Sequence, residues 1–257
     1  MSDAPVLVTI DGPIGFITLN RPAKRNALDT ATVAGIRFVL AELELENAVR
    51  VIVLRGAGKD FCAGADLAQL ERMAAGADSM DNLRDAQSLG ELFIRMRRAT
   101  KPIVALVRGH AMAGGAGLAA ACDLVLAGDD AVFGYPEVHL GFVPAMVMAM
   151  LRRTVGEKVA FELVARGGRI SAADALQLGL INQAYPAAEF DHAAASYVTD
   201  LAQRSGAALA LTKRLLYGMD GMSFDDAIAR GAEVNALARN TEDCRDGVRR
   251  FLDRKRD

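Results

Sequence analysis

Hydrophobic and polar positions change period several times along this chain, and each change marks an element. Residues 6–10 and 15–19 are β-rich runs around Asp11-Gly12-Pro13, which predicts a hairpin. Over residues 30–46 the apolar positions, Ala34, Ile36, Leu40 and Leu43 among them, take helical spacing, with Asp29 or Thr30 as the N-cap. Residues 51–54 and 103–107 are β-branched runs that read as buried strands. Residues 67–75 predict a short helix, and a longer one runs to Arg98. The polar stretch 76–81 between them is the candidate for a mobile lid, although such stretches also serve as plain connectors. Residues 115–121 predict a small-residue helix, and 123–127 and 131–133 two further short strands. From Pro144 onward the pattern is mainly helical, with Ser171-Ala172-Ala173-Asp174 as an N-cap signal. Strand–helix alternation followed by helices predicts an α/β fold with a helical C-terminal appendage.

Two loops interrupt this pattern in the same way. Phe61-Cys62-Ala63-Gly64-Ala65-Asp66 follows one buried strand, and Met112-Ala113-Gly114-Gly115-Ala116-Gly117 follows the other. Loops so poor in side chains leave backbone N–H groups free to face a ligand, and two of them can aim two donors at one oxygen. Ala65 and Gly114 are the expected donors, because their small side chains let a bulky group approach the backbone. The helix that starts beside Gly114 adds partial positive charge. Removing an α-proton from a thioester, or adding a nucleophile at its β-carbon, puts negative charge on the carbonyl oxygen. Two such donors would stabilise that enolate, each by about 3 kcal/mol. Glu137 lies among the apolar residues Val138, Leu140 and Phe142, where partial burial would raise its pKa toward the range useful for proton transfer. The bland alternatives are close packing for Gly114-Gly115, a solvated surface charge for Glu137 and core packing for Met146, Met148 and Met150.

Other chemistries fit less well. Gly115-Ala116-Gly117-Leu118-Ala119-Ala120 matches a dinucleotide-binding pattern, with Glu137 at a suitable distance, but seven residues separate the strand from its first glycine. No Walker loop, G-x-S-x-G elbow or H-E-x-x-H pair occurs, so neither a metal site nor a serine nucleophile is expected. With 52% hydrophobic and 24% charged residues the 257-residue chain has a globular composition, and a net charge of −2 gives no general pull toward nucleic acid or membranes. Three scattered cysteines imply no disulfide framework, and the first residues lack a signal-peptide pattern, so the expected location is cytoplasmic.

Several ordered motifs together resemble the crotonase superfamily, the enoyl-CoA hydratase/isomerase proteins. They are Leu19-Asn20-Arg21-Pro22 with Asn26-Ala27-Leu28, the first loop through Leu67, and Gly114-Gly115 to Cys122-Asp123. Pro136-Glu137 with Leu140-Gly141, and Ala173 to Ile181, complete the set. The resemblance implies a spiral of stacked ββα units over residues 1–196 and a C-terminal helical trimerisation region over 197–257. It also implies a homotrimer or a dimer of trimers. The implied substrate is an acyl-CoA thioester, with no prosthetic group. Glu137, Ala65 and Gly114 would be catalytic. Lys24, Arg25 and Ala27 would line the coenzyme A nucleotide, with Ala63, Asp66 and Leu67 flanking its adenine and pantetheine. The basic C-terminus, Arg245, Arg249, Arg250, Arg254, Lys255 and Arg256, would reach a neighbouring subunit's phosphates.

One departure from the family pattern bears on the reaction. Hydratases of this family typically carry a glutamate in the helix after the second loop, and here that position is Gly117. One carboxylate can carry a proton from C2 to C4, as a Δ3,Δ2-enoyl-CoA isomerase requires. It can also deprotonate water and return the proton to the α-carbon. Pro144-Ala145-Met146-Val147 resembles bacterial methylglutaconyl-CoA hydratase-like proteins, which tilts the expectation toward hydration of a short or branched 2-enoyl-CoA. An acyl-CoA-binding protein with little turnover is the alternative of another class.

Overall fold

The computed structural model describes residues 4–76 and 78–253, in which two ribbons of strand stack turn upon turn. β1 (Val6–Asp11) and β2 (Ile14–Leu19) form the expected antiparallel hairpin, with Val6 opposite Leu19. α1 (Thr30–Leu45) follows, its first turn closed by the Asp29 carboxylate, which accepts from the Thr32 N–H at 2.8 Å. This helix carries the chain back so that β3 (Val51–Gly56) lies parallel to β2. α2 (Leu67–Gly76) and α3 (Ser79–Arg98) make the next crossover, to β4 (Ile103–Val107) beside β3. β5 (His110–Met112), α4 (Gly114–Ala120), β6 (Leu124–Gly128) and β7 (Val132–Gly134) complete a further turn and begin another.

The remaining chain is mostly helical: α5 (Ala145–Thr154), α6 (Glu157–Arg166), then β8 (Arg169–Ser171), α7 (Ala172–Gln177) and β9 (Gln183–Tyr185). α8 (Phe190–Ala202), α9 (Gly206–Gly218), α10 (Phe224–Arg239) and α11 (Glu242–Asp253) end it. The main sheet has the order β1-β2-β3-β4-β6-β9, and the second ribbon the order β5-β7-β8. Isolated parallel bridges between Leu28 and Ala65, and between Cys62 and Ala111, extend the second ribbon toward earlier turns. Each turn therefore lays one strand in the main sheet and one short segment in the second ribbon. That is the expected α/β spiral.

Both faces of the main sheet are covered, which is why its strands read as unbroken apolar runs. Leu54, Ile36, Leu40 and Leu92 pack on one side, while Val51, Val53, Val104 and Leu126 meet Phe190, Ala194 and Val198 of α8 on the other. Three local expectations change. The stretch 76–81 is not a free connector: Gly76 ends α2, Asp78 caps α3 by accepting from the Met80 N–H, and residues 79–81 are helical. Ala77 lies outside the described residues. β5 sits within what reads as loop, and β8 and β9 interrupt a region whose pattern is helical. These strands are three residues each, too short for a periodic signal.

A buried ion pair fastens α9 to this scaffold. Lys213 Nζ lies 2.7 Å from Asp123 Oδ2 and donates to the Met96 and Lys101 carbonyls. The same carboxylate accepts from the Ile103 N–H and the Tyr217 hydroxyl. Every charge and donor in the cluster is thus satisfied. Asp123→Ala is expected to cost about 3–5 kcal/mol, measured by urea unfolding, because it strands Lys213. Lys213→Met leaves the carboxylate its two other donors and is expected to cost less.

Candidate active site

The second ribbon determines where the two loops meet. In the parallel bridge to Leu28, the Leu28 N–H donates to the Gly64 carbonyl and the Asp66 N–H to the Leu28 carbonyl. The residue between, Ala65, therefore turns its own N–H away from that neighbour. One turn later the Met112 N–H donates to the Cys62 carbonyl, and Ala113 donates to Gly134. α4 begins at the next residue. Neither the Ala65 nor the Gly114 N–H makes a hydrogen bond among the described residues. The loops touch: a Cβ on Gly64 would lie 2.8 Å from the Ala113 Cβ and 3.4 Å from the Gly114 nitrogen. Ala113 itself holds φ 52° and ψ −124°, a conformation that costs a residue with a Cβ about 1–3 kcal/mol.

Ala65 and Gly114 line one cavity of about 490 Å³ together with Lys24, Ala27, Ala63, Asp66, Leu67 and Glu137. Of the expected ligand-contacting residues, Arg25 stays outside it. Its exposed side chain points to Asp60 at 3.9 Å, and its carbonyl accepts from the Ala63 N–H, so it supports the first loop from behind. Asp66 is also largely engaged. Arg21 Nη2 reaches its Oδ2 at 2.8 Å, and its Oδ1 accepts from the Ala68 N–H. The Arg21 hydrogen bond, first among these, holds its carboxyl below the usual carboxylate range. Asn26, which the motif contained without a role, is buried and bonds the Ala57 and Asp60 carbonyls and the Arg21 N–H. Arg245, Arg249 and Arg250 lie on α11 and donate to Asn240 and Asp246, and residues 254–256 fall outside the described residues.

Glu137 is the second residue of a short 3-10 turn, Pro136–Leu140, which Tyr135 joins to β7. It is 7% exposed, and its Oε2 has no hydrogen-bond partner among the described residues. Burial pushes its carboxyl above the ordinary glutamate value, with its own backbone N–H pulling the other way. The neighbouring Tyr135 hydroxyl is likewise buried and unpartnered, and burial followed by the Glu137 charge raises its pKa. Cys62 is no nucleophile here: it is fully enclosed, and burial pushes its thiol up to about 12.

The wall opposite Ala65 is apolar, and sequence reasoning left most of it unassigned. Leu89 of α3, Phe142 and Val143 after the 3-10 turn, and Met146 and Val147 of α5 supply it. Of the three methionines read as core or pocket, Met146 lines this cavity, Met148 is half-exposed and Met150 packs against the core. Gly117 sits behind Val147. A Cβ built there would lie 2.5 Å from Val147 Cγ2 and 3.4 Å from Phe93 Cζ, so Val147 occupies the place of any larger side chain.

The family model described as Enoyl-CoA hydratase/isomerase matches residues 9–257. A Thermus thermophilus relative named "Putative enoyl-CoA hydratase" is 41% identical over 245 residues, covering 95% of this chain and 96% of its own. The Escherichia coli 2,3-dehydroadipyl-CoA hydratase is 33% identical over 93% of this chain and 92% of its own. The crystal structure of an enoyl-CoA hydratase from Mycobacterium smegmatis superposes with a TM-score of 0.92 at 31% identity, covering 97% of this chain and 96% of that one.

The Gly117–Val147 contact gives a direct test. Gly117→Glu is expected to destabilise the protein by about 1–3 kcal/mol through overpacking, read as a lowered urea midpoint. Val147→Gly in the same chain is expected to restore most of the loss.

Proposed function

Because the chain belongs to the enoyl-CoA hydratase/isomerase family, we propose that Glu137 alone performs the proton transfers of a 2-enoyl-CoA hydration. The observation that carries this reading is a buried, unpartnered carboxylate facing the same cavity as two unspent N–H donors. The Ala65 and Gly114 N–H groups would take the thioester oxygen. The Glu137 carboxylate would accept a proton from water as the water oxygen bonds to C3, and the C2–C3 π electrons would move onto the thioester oxygen. The protonated Glu137 would then return that proton to C2 as the enolate collapses. Lys24 at the rim offers a charge for coenzyme A phosphates. The reaction itself calls for no prosthetic group.

A second reading has its own support. Val147 fills the Gly117 position, so no second carboxylate stands there to hold a water. An isomerase needs none: Glu137 would take the C2 proton of a 3-enoyl-CoA and deliver it to C4 as the double bond shifts.

Glu137→Gln is expected to lower kcat by at least about 10² while acyl-CoA binding persists, and equal loss of both would remove the assignment. In the parent protein kcat/KM should fall toward acid with a midpoint above 4.5, the ordinary glutamate value, since the base must be ionised and burial opposes ionisation. The sign for stability is opposite to that of a paired carboxylate. A raised folded-state pKa means a cost present above that pKa and lost as pH falls through it, so Glu137→Gln should raise Tm at neutral pH. Incubating 2-enoyl-CoA and 3-enoyl-CoA separately separates the two reactions: hydroxyacyl product from the first supports hydration, and 2-enoyl product alone from the second supports isomerisation. Binding without turnover of either would indicate a carrier.

The assembly proposed is a homotrimer or a dimer of trimers. Phe224, Ile228 and Leu237 of α10 and Val248 of α11 are more than half exposed, an apolar surface that a further subunit would cover. Light scattering is expected to give three or six chains; a monomer at micromolar concentration would overturn this.

A further inference from the structure

Beyond Met146 lies a second cavity of about 320 Å³ that the chemistry above leaves unused. Met146 lines both cavities and leans on bare backbone: a Cβ on Gly90 would sit 3.6 Å from its Cγ. Met146, the residue the two linings share, is a flexible, unbranched side chain. Two helices carry the second chamber onward in the same way. On α3, Gly90, Phe93 and Arg97 follow one face; on α5, Met146, Met150 and Arg153 do the same. Each arginine stands seven residues, about 10 Å, beyond Gly90 or Met146 on its own helix.

The far end holds a carboxylate already. Arg97 Nη2 and Arg153 Nε both reach Asp220 Oδ2, at 2.7 and 2.9 Å, and Arg97 stacks on the Tyr217 ring at 4.0 Å. Arg153 Nη1 donates to the Ala149 carbonyl, whereas Arg97 Nη1 and Arg153 Nη2 make no hydrogen bond among the described residues. Tyr217 donates to Asp123, whose charge Lys213 balances. Two cations thus share one anion at the end of an apolar passage, leaving one positive charge and two donor edges to spend. Asp220 lies in the turn after α9, closed by a Met222-to-Met219 hydrogen bond, rather than within a helix.

We propose that this chamber receives the distal end of the acyl group and that the preferred substrate is a 2-enoyl-CoA whose chain ends in a carboxylate, the monothioester of an unsaturated dicarboxylic acid. The assignment rests on the acyl-CoA reading of the first cavity. A short or branched acyl group ends against Met146; a longer one displaces that side chain and runs between α3 and α5. Its methylenes meet Phe93 and Met150, and its carboxylate meets the free edges of Arg97 and Arg153. A methyl terminus in the same place would meet part-exposed guanidinium groups instead of apolar surface.

The test compares kcat/KM for carboxylate-ended and methyl-ended 2-enoyl-CoA thioesters matched in length, over a series of chain lengths. At the length that spans the passage the carboxylate is expected to be preferred at least about tenfold. Replacing both arginines (Arg97→Gln, Arg153→Gln) should bring that ratio to about one, and Asp220→Asn, which removes the competing anion, should raise it. A ratio at or below one at every length, or one unmoved by the arginine replacements, overturns the proposal. Calorimetry with the saturated carboxyacyl-CoA and acyl-CoA pairs reads the same preference without turnover. Carboxylate preference in binding with no hydration would retain this chamber and refute the hydratase reading. Hydration without preference would do the reverse.

Discussion

The site depends on how closely the third turn of the spiral can lie against the second. Gly115 packs so tightly on the Cys62 carbonyl that no Cβ would fit between them. That contact lets α4 begin immediately beside the first loop, with Ala113 as the single residue between β5 and the helix. The interturn hydrogen bonds spend the carbonyls of Cys62 and Gly64 on neighbouring turns and leave the N–H groups of Ala65 and Gly114 facing the same space. In the proposed reaction, two donors arranged before any substrate arrives would need no reorganisation when charge develops on the thioester oxygen.

This arrangement is held against local cost. Ala113 keeps a backbone conformation that a glycine would adopt more easily, and Glu137 is buried with one oxygen unpartnered. Both lie at the cavity. The rest of the structure offsets them: the main sheet is covered on both faces, and Asn26, Arg21 and Asp123 each tie distant segments through fully engaged polar groups. Local cost carried by residues at a cleft is the pattern expected where function, rather than stability, selects them.

Val147 shapes the chemistry by what it displaces. Its side chain sits where a residue larger than glycine at 117 would project, so the wall facing Glu137 is aliphatic. An apolar wall disfavours the charged form of that carboxyl, and in the proposed reaction the proton transfers rest on it alone. Beyond Met146, in the second cavity, charge reappears at Arg97 and Arg153.

Much of the fold and half of the site could be read from the chain itself. The buried strands, the Asp29 cap, the Ser171–Asp174 capping box and the two loops are local features, set by side-chain period and by groups a few residues apart. The burial of Glu137 and the two unpartnered N–H groups were legible for the same reason: an acidic residue lies within an apolar run, and the loops are bare of side chains. Long-range pairing decided the rest. Side-chain type does not distinguish Lys24, which lines the cavity, from Arg25, which does not; the backbone turns left-handed at residue 25. Nothing local says that Val147 fills the space beside Gly117, thirty residues earlier, or that Arg97 and Arg153 converge on Asp220. Those contacts join residues far apart along the chain. They exist only once the spiral has stacked, because burial and charge pairing depend on which surfaces the turns bring together.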